Sequence, residues 1–213
     1  IVNTNPLYTA REMEHQFNDS GAKALLVLAN MAYLAEQVVP KTQIKTVLVT
    51  ELADMHPFAK RLLINTVVKK VKKLVPAYNL PQAISFRKAL SLGSAKPAVS
   101  VDVKLDDTAA LQYTGGTTGV SKGAQLLNSN IVANMMQVRT SVQEDLNGDG
   151  EIVISPLPLY HIYAFTLSLV MSDCGHHVVL IPNPRDIPGF VKELSKHKFS
   201  SFAGLNTLFV ALC

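Results

Sequence analysis

Residues 113–124 read Tyr-Thr-Gly-Gly-Thr-Thr-Gly-Val-Ser-Lys-Gly-Ala, and they gather the groups best suited to gripping an anion. Gly115, Gly116, Gly119 and Gly123 let backbone turn sharply and approach a ligand closely. Successive N–H groups in such a loop converge on negative charge. Thr114, Thr117 and Thr118 add hydroxyl donors, and Lys122 adds a cation. The chemistry on offer is the holding of a polyphosphate. The competing reading is a plain turn that happens to be rich in glycine and threonine.

Two better-known phosphate loops do not fit. A Walker A loop needs G-x-x-x-x-G-K-[ST] opening a helix, whereas Lys122 follows Ser121, precedes Gly123 and leads into Ala124-Gln125-Leu126-Leu127, which reads as a strand. A dinucleotide-binding G-x-G-x-x-G fails as well, because no glycines are spaced that way ahead of a helix. With Ala109–Tyr113 reading as a strand on the other side, the element is a glycine-rich hairpin.

A second cluster lies about forty residues on, at Pro158-Leu159-Tyr160-His161. It follows the strand Glu151–Ser155, and open parallel sheets bind ligands beyond the carboxyl ends of their strands. Alone, a histidine ahead of an apolar helix is an ordinary half-buried residue. Beside the loop, Tyr160 and His161 become candidates for a substrate channel.

The elements that must position these residues alternate. Thr9-Ala10-Arg11-Glu12 has capping-box spacing and opens a helix with Met13 and Phe17 on one face, ending near Ser20-Gly21. Ala24–Ala29 and Thr46–Thr50 are apolar runs expected to be strands buried on both faces, with a helix over Met31–Val38 between them. Ser91–Ser100, with Gly93, Pro97 and three serines, reads as a loop. Asn128-Ser129 caps a helix through about Val142 that carries Ile131, Met135 and Val138 on one face. Next come a helix starting in the segment after Pro156 and reaching Met171, a strand His177–Ile181, a helix Ile187–His197, a strand Ser200–Ala203 and a helix from Asn206. This order predicts an α/β fold, a mainly parallel sheet flanked by helices. Asp145–Glu151 begins like a calcium loop, but the twelfth position is Pro156 where a glutamate is required, so a solvated turn is expected.

Composition narrows the class. The chain has 213 residues, 48% hydrophobic and 17% charged, which suits a globular core. Twenty Lys+Arg against 16 Asp+Glu leave +4, too small an excess to argue for nucleic acid. Cys174 and Cys213 show no metal spacing, and reduced thiols point to a cytoplasmic setting. One stretch departs from this even balance. Lys60, Arg61, Lys69, Lys70, Lys72 and Lys73 lie between residues 60 and 75 with no acid among them, interleaved with Leu62, Leu63, Val67, Val71, Leu74 and Val75. Lys60–Val75 therefore reads as a basic amphipathic helix. It is either packed on its own domain or laid against an anionic membrane surface, peripherally on the inner membrane.

The loop, with its order of Tyr, Thr, Gly and Lys, resembles the phosphate-binding signature of the AMP-forming acyl-adenylate synthetases. Asn3-Thr4-Asn5-Pro6-Leu7, Asn18–Ala22, Ile181–Asp186 and Gly204–Leu208 extend the resemblance over nearly the whole chain, toward the bacterial long-chain fatty-acid–CoA ligases. Residues 51–76 match least, and Ser121 stands where many members carry proline. The resemblance implies that residues 1–213 are an internal part of a large N-terminal AMP-binding domain. It implies ATP-dependent activation of a long-chain fatty acid through an acyl-adenylate, with Mg²⁺, and transfer to coenzyme A. Tyr113 and Gly123 would bind ATP together with the rest of the loop. Thr114, Gly115, Gly116, Thr117, Thr118 and Gly119 would cradle the β- and γ-phosphates, Thr118 and Lys122 acting on the reacting group. Tyr160 and His161 would line the channel. The magnesium ligand, the ribose contacts and a C-terminal lysine would lie outside this chain, so no metal ligand is assigned within it. Activation of an amino or aryl acid, a non-catalytic lipid-binding module and a different phosphate-binding NTPase are the competing readings.

Overall fold

A computed structural model describes residues 1–115, 120–142 and 150–213. The chain forms two compact units, one of residues 2–103 with 113–123, the other of residue 1 with 104–112 and 124–213.

In the first unit, α1 (Ala10–Asp19) begins with the expected capping box. Thr9 N donates to Glu12 Oε2 at 2.7 Å, and the Thr9 hydroxyl accepts from Glu12 N. The Thr9 N–H, and after it the Thr9 hydroxyl, which also donates to Glu12 Oε2, hold the Glu12 carboxyl below its usual range. The far end closes on Gly21, whose φ of +63° lets Ala22 N reach Phe17 O at 3.2 Å, a Schellman closure. Strands β1 (Ala24–Leu28), β2 (Thr46–Thr50) and β3 (Ile84–Ser85) form a parallel sheet in that order, with Ala24 beside Thr46 and Leu48 beside Ile84. α2 (Ala32–Val38) runs on into a 3₁₀ turn through Pro40. Met13 and Phe17 of α1, Val27, Val38, Val47 and Val49 pack into one core.

That core covers one face of the sheet. Val27 is buried, while Leu26 is 55% exposed and Leu28 also faces outward, so β1 alternates where its apolar run predicted burial on both faces. The basic helix also differs from expectation. α3 (Phe58–Thr66) passes into a π-helical turn at Val67–Val71, and the helix stops at Lys72 because Lys73 turns to a φ of +51°. The stretch expected as a loop begins as α4 (Phe86–Ser94), capped by Ser85, whose hydroxyl accepts from Lys88 N. A sound N-cap outweighed the serine-rich composition there.

β4 (Thr108–Thr114) and β5 (Lys122–Leu127) form the two-stranded sheet expected on either side of the glycine-rich loop. Residues 116–119 and 143–149, the latter including the start of the calcium-like motif, lie outside the described residues.

The second unit is layered on both sides. β6 (Ile152–Ser155) sits between β7 (His177–Leu180) and β8 (Ser201–Phe202), all parallel. Neighbouring residues of β6 point to opposite faces. Val153 joins Met135 and Val138 of α5 (Asn128–Val142) with Val170 and Met171 of α6 (Ile162–Asp173). Ile154 joins Phe190 of α7 (Ile187–Leu194) with Leu208 and Leu212 of α8 (Asn206–Leu212). α6 starts later than the prolines suggested, and α7 ends at Leu194 rather than His197. The fold is α/β, with parallel sheets flanked by helices.

Candidate functional site

The loop is anchored at both shoulders by one helix. Tyr113, next to last in β4, is 7% exposed, and its hydroxyl donates to Asp19 Oδ2 at 2.5 Å. On the exit side, His15 Nε2–H donates to the Ser121 carbonyl at 2.9 Å. His15 and Asp19 are one helical turn apart on α1, so they project from the same side of it. The capping box and the Schellman closure fix the two ends of α1, and with them this pair.

Burial and then the Asp19 hydrogen bond push the Tyr113 hydroxyl above its ordinary value of 10.0, so it stays a donor throughout the neutral range. Gly123 makes the ring's position possible. A Cβ there would stand 2.9 Å from two carbons of the Tyr113 ring. Of the remaining loop candidates, Thr114 and Gly115 are exposed at the end of β4, and Lys122 is exposed at the start of β5. Gly116, Thr117, Thr118 and Gly119 lie outside the described residues.

The second cluster is held by the same strand. Gln112, one residue before Tyr113, is buried, and its Nε2 donates to the Tyr160 carbonyl at 2.9 Å. Its Oε1 is buried with no partner among the described residues. Tyr160 and His161 stack obliquely, ring centroids 5.7 Å apart. His161 is the N-cap residue of α6 but leaves its side chain free of capping, exposed to solvent. Beyond it, α5 and the first turns of α6 enclose an open groove of about 420 Å³, whose walls include Ile131, Val138, Ile162, Tyr163 and Leu167. Neither Tyr160 nor His161 lines that groove.

Chemically, the first unit offers an exposed cation, Lys122, between strand ends tied to α1, and the second unit, taken by itself, offers an apolar groove beside α6. Among the described residues, no three His, Cys, Asp or Glu side chains gather to hold a metal ion. Sequence reasoning missed His15, Asp19 and Gln112. Only Gln112 left a trace, as a long polar side chain in an otherwise apolar strand.

The family model described as AMP-binding enzyme matches residues 1–213. The chain is 50% identical over 213 residues to the long-chain-fatty-acid–CoA ligase of Salmonella typhimurium, covering 100% of this chain and 38% of that protein. It is 49% identical over 215 residues to the long-chain-fatty-acid–CoA ligase of Haemophilus influenzae, covering 99% of this chain and 38% of that protein. A solved long-chain-fatty-acid–CoA ligase from Archaeoglobus fulgidus superposes with a TM-score of 0.68 at 25% identity, covering 99% of this chain and 36% of that one. The chain thus spans 38% of the length of these curated relatives. With the match running through both shoulders of the loop and the Tyr160-His161 segment, the chain belongs to the AMP-binding enzyme family.

Proposed function

We propose that the complete protein activates long-chain fatty acids as coenzyme A thioesters, at the expense of ATP. The observation that carries this reading is the 50% identity maintained over all 213 residues with a long-chain-fatty-acid–CoA ligase. In the first half-reaction a carboxylate oxygen attacks the α-phosphorus of ATP. A C–O–P bond forms, the bond to the β-phosphate oxygen breaks, and pyrophosphate leaves. In the second, the sulfur of coenzyme A attacks the acyl carbonyl, a C–S bond forms, and the C–O bond to AMP breaks with loss of the thiol proton.

Such chemistry needs positioned donors more than a protein nucleophile. In this reading Thr114, Gly115, Gly116, Thr117, Thr118 and Gly119 hold the β- and γ-phosphates, Lys122 neutralises the departing pyrophosphate, and Tyr160 and His161 border the path of the acyl group. The bonds from His15 and Asp19 to the two shoulders support it, because a loop that binds charge without reorganising needs fixed ends. The apolar groove between α5 and α6 supports a hydrocarbon substrate. Mg²⁺ accompanies ATP in this proposal, held largely by the phosphate oxygens and water.

Acid-dependent ATP–pyrophosphate exchange on the complete protein tests the reading. Exchange driven by palmitate and absent with amino or aryl acids is expected. Exchange driven by the latter, and not by palmitate, overturns the substrate assignment.

A further inference from the structure

We infer that His15 is a positioning residue of the adenylation step, acting through the peptide plane that joins Ser121 to Lys122. The inference rests on the proposed role of Lys122 against the departing pyrophosphate. A carbonyl only accepts, so the His15 ring donates to Ser121 O from Nε2, at 2.9 Å. The peptide between residues 121 and 122 is planar. Fixing its oxygen also fixes the direction of the Lys122 N–H and the place of the Lys122 Cα. Lys122 is exposed and joins no ion pair among the described residues. Its ammonium sits on a flexible four-carbon stem, and is only as well placed as the backbone that carries it.

The platform behind His15 is set without help from the loop. Met13 and Phe17 of α1 are buried in the core of the unit. Gln16, wholly buried, donates through Nε2 to the Asn3 carbonyl at 3.1 Å. Thr9 and Glu12 close the first turn through the capping box. His15 takes part in none of these contacts, and bonds instead to a residue 106 positions away. A donor on a helix fixed in this way removes freedom from the part of the loop that carries the cation.

His15 and Asp19 divide the work by the strand each one holds. Asp19 ties Tyr113 on the entering strand, where the bond satisfies the hydroxyl of a buried ring. Its loss is felt first in stability. His15 ties the exit, one peptide bond from Lys122. Its loss leaves the buried groups of the unit paired as before, and is felt in how well the lysine meets charge that develops as pyrophosphate leaves.

The test is ATP–pyrophosphate exchange by the complete protein, driven by palmitate, or by whichever acid drives it should the substrate reading fail. The two results are thereby kept apart. A glutamine places its amide nitrogen where histidine has Nε2, whereas asparagine reaches only as far as Nδ1. His15→Phe and His15→Asn are expected to lower kcat for exchange about five- to tenfold, the effect of one lost hydrogen bond, with KM for the acid unchanged. His15→Gln restores most of the rate. In the Lys122→Ala background, His15→Phe costs less than about twofold more, because the group it positions is gone. Denaturant unfolding is run on every variant, and if His15→Phe does not fold, the Gln and Asn variants at matched midpoints carry the test. Wild-type rates in the Phe and Asn variants, a Gln variant no better than Asn, or a KM for the acid that rises as kcat falls overturns the inference. So does a full His15→Phe penalty on top of Lys122→Ala.

Discussion

The Tyr113 hydroxyl reaches across to Asp19 at 2.5 Å, tying the strand that enters the glycine-rich loop to the C-terminal end of α1. Asp19 is exposed and Tyr113 is buried, so the two partners contribute unequally. Removing the acceptor leaves a buried hydroxyl with only the Ser20 side chain beside it, at up to about 1–3 kcal/mol. Removing the donor takes away the whole polar group, at about 0.5–1.5 kcal/mol. Asp19→Ala is therefore expected to destabilise more than Tyr113→Phe, measured by denaturant unfolding of the complete protein. Equal losses would show that the bond carries little.

The same pair has an alkaline signature. Folding raises the Tyr113 pKa above 10.0, so the folded state holds its proton where the unfolded chain has released it. The stabilisation is full below pH 10.0 and declines as pH rises above it. Wild-type stability should fall more steeply than that of Tyr113→Phe from that pH upward. Parallel curves would exclude the linkage.

Local signals wrote the frame, and distant contacts wrote the site. Thr9 and Glu12 lie three residues apart, and Gly21 closes the same helix, so α1 was legible from its own residues. The loop's flanking strands were legible for the same reason. His15 and Asp19 were not, because their partners are 106 and 94 residues away and nothing in their surroundings specifies them. β1 misled because an apolar run describes side chains, not what covers them. Among the described residues its Leu26 face carries no packed layer. The basic helix was foreseen too long, since no residue type announces the left-handed turn at Lys73.

Gly123→Ala places a methyl group 2.9 Å from the Tyr113 ring, closer than carbon atoms pack. The ring must move, and its bond to Asp19 moves with it. A loss of about 1–3 kcal/mol is expected. Combining Gly123→Ala with Tyr113→Ala should recover part of it, because the obstructing ring is gone. A double variant that is simply the sum of the two singles would show no clash.

In the complete enzyme, Lys122→Ala and Thr118→Ala should each slow acid-dependent ATP–pyrophosphate exchange by about a hundredfold, the usual effect of deleting one preorganised donor. Ser121→Pro should change little. His15 bonds to the carbonyl of residue 121, which proline retains. Wild-type exchange rates in both alanine variants would reduce the loop to a turn.

Gln112 separates two effects that the loop residues mix. Its amide holds the Tyr160 carbonyl at 2.9 Å, and Tyr160 precedes the first residue of α6 by two positions. Gln112→Leu keeps the bulk of the side chain and loses the bond, so the Tyr160-His161 segment loses its tether to β4 while the shoulders of the loop keep theirs. The expected signature is a raised KM for the fatty acid with the KM for ATP nearly unchanged. Gln112→Glu is the sharper variant, because an ionised carboxylate cannot donate to a carbonyl and instead repels it. If both KM values rose together, or only that for ATP, Gln112 would belong to the phosphate end of the site rather than to the acyl end.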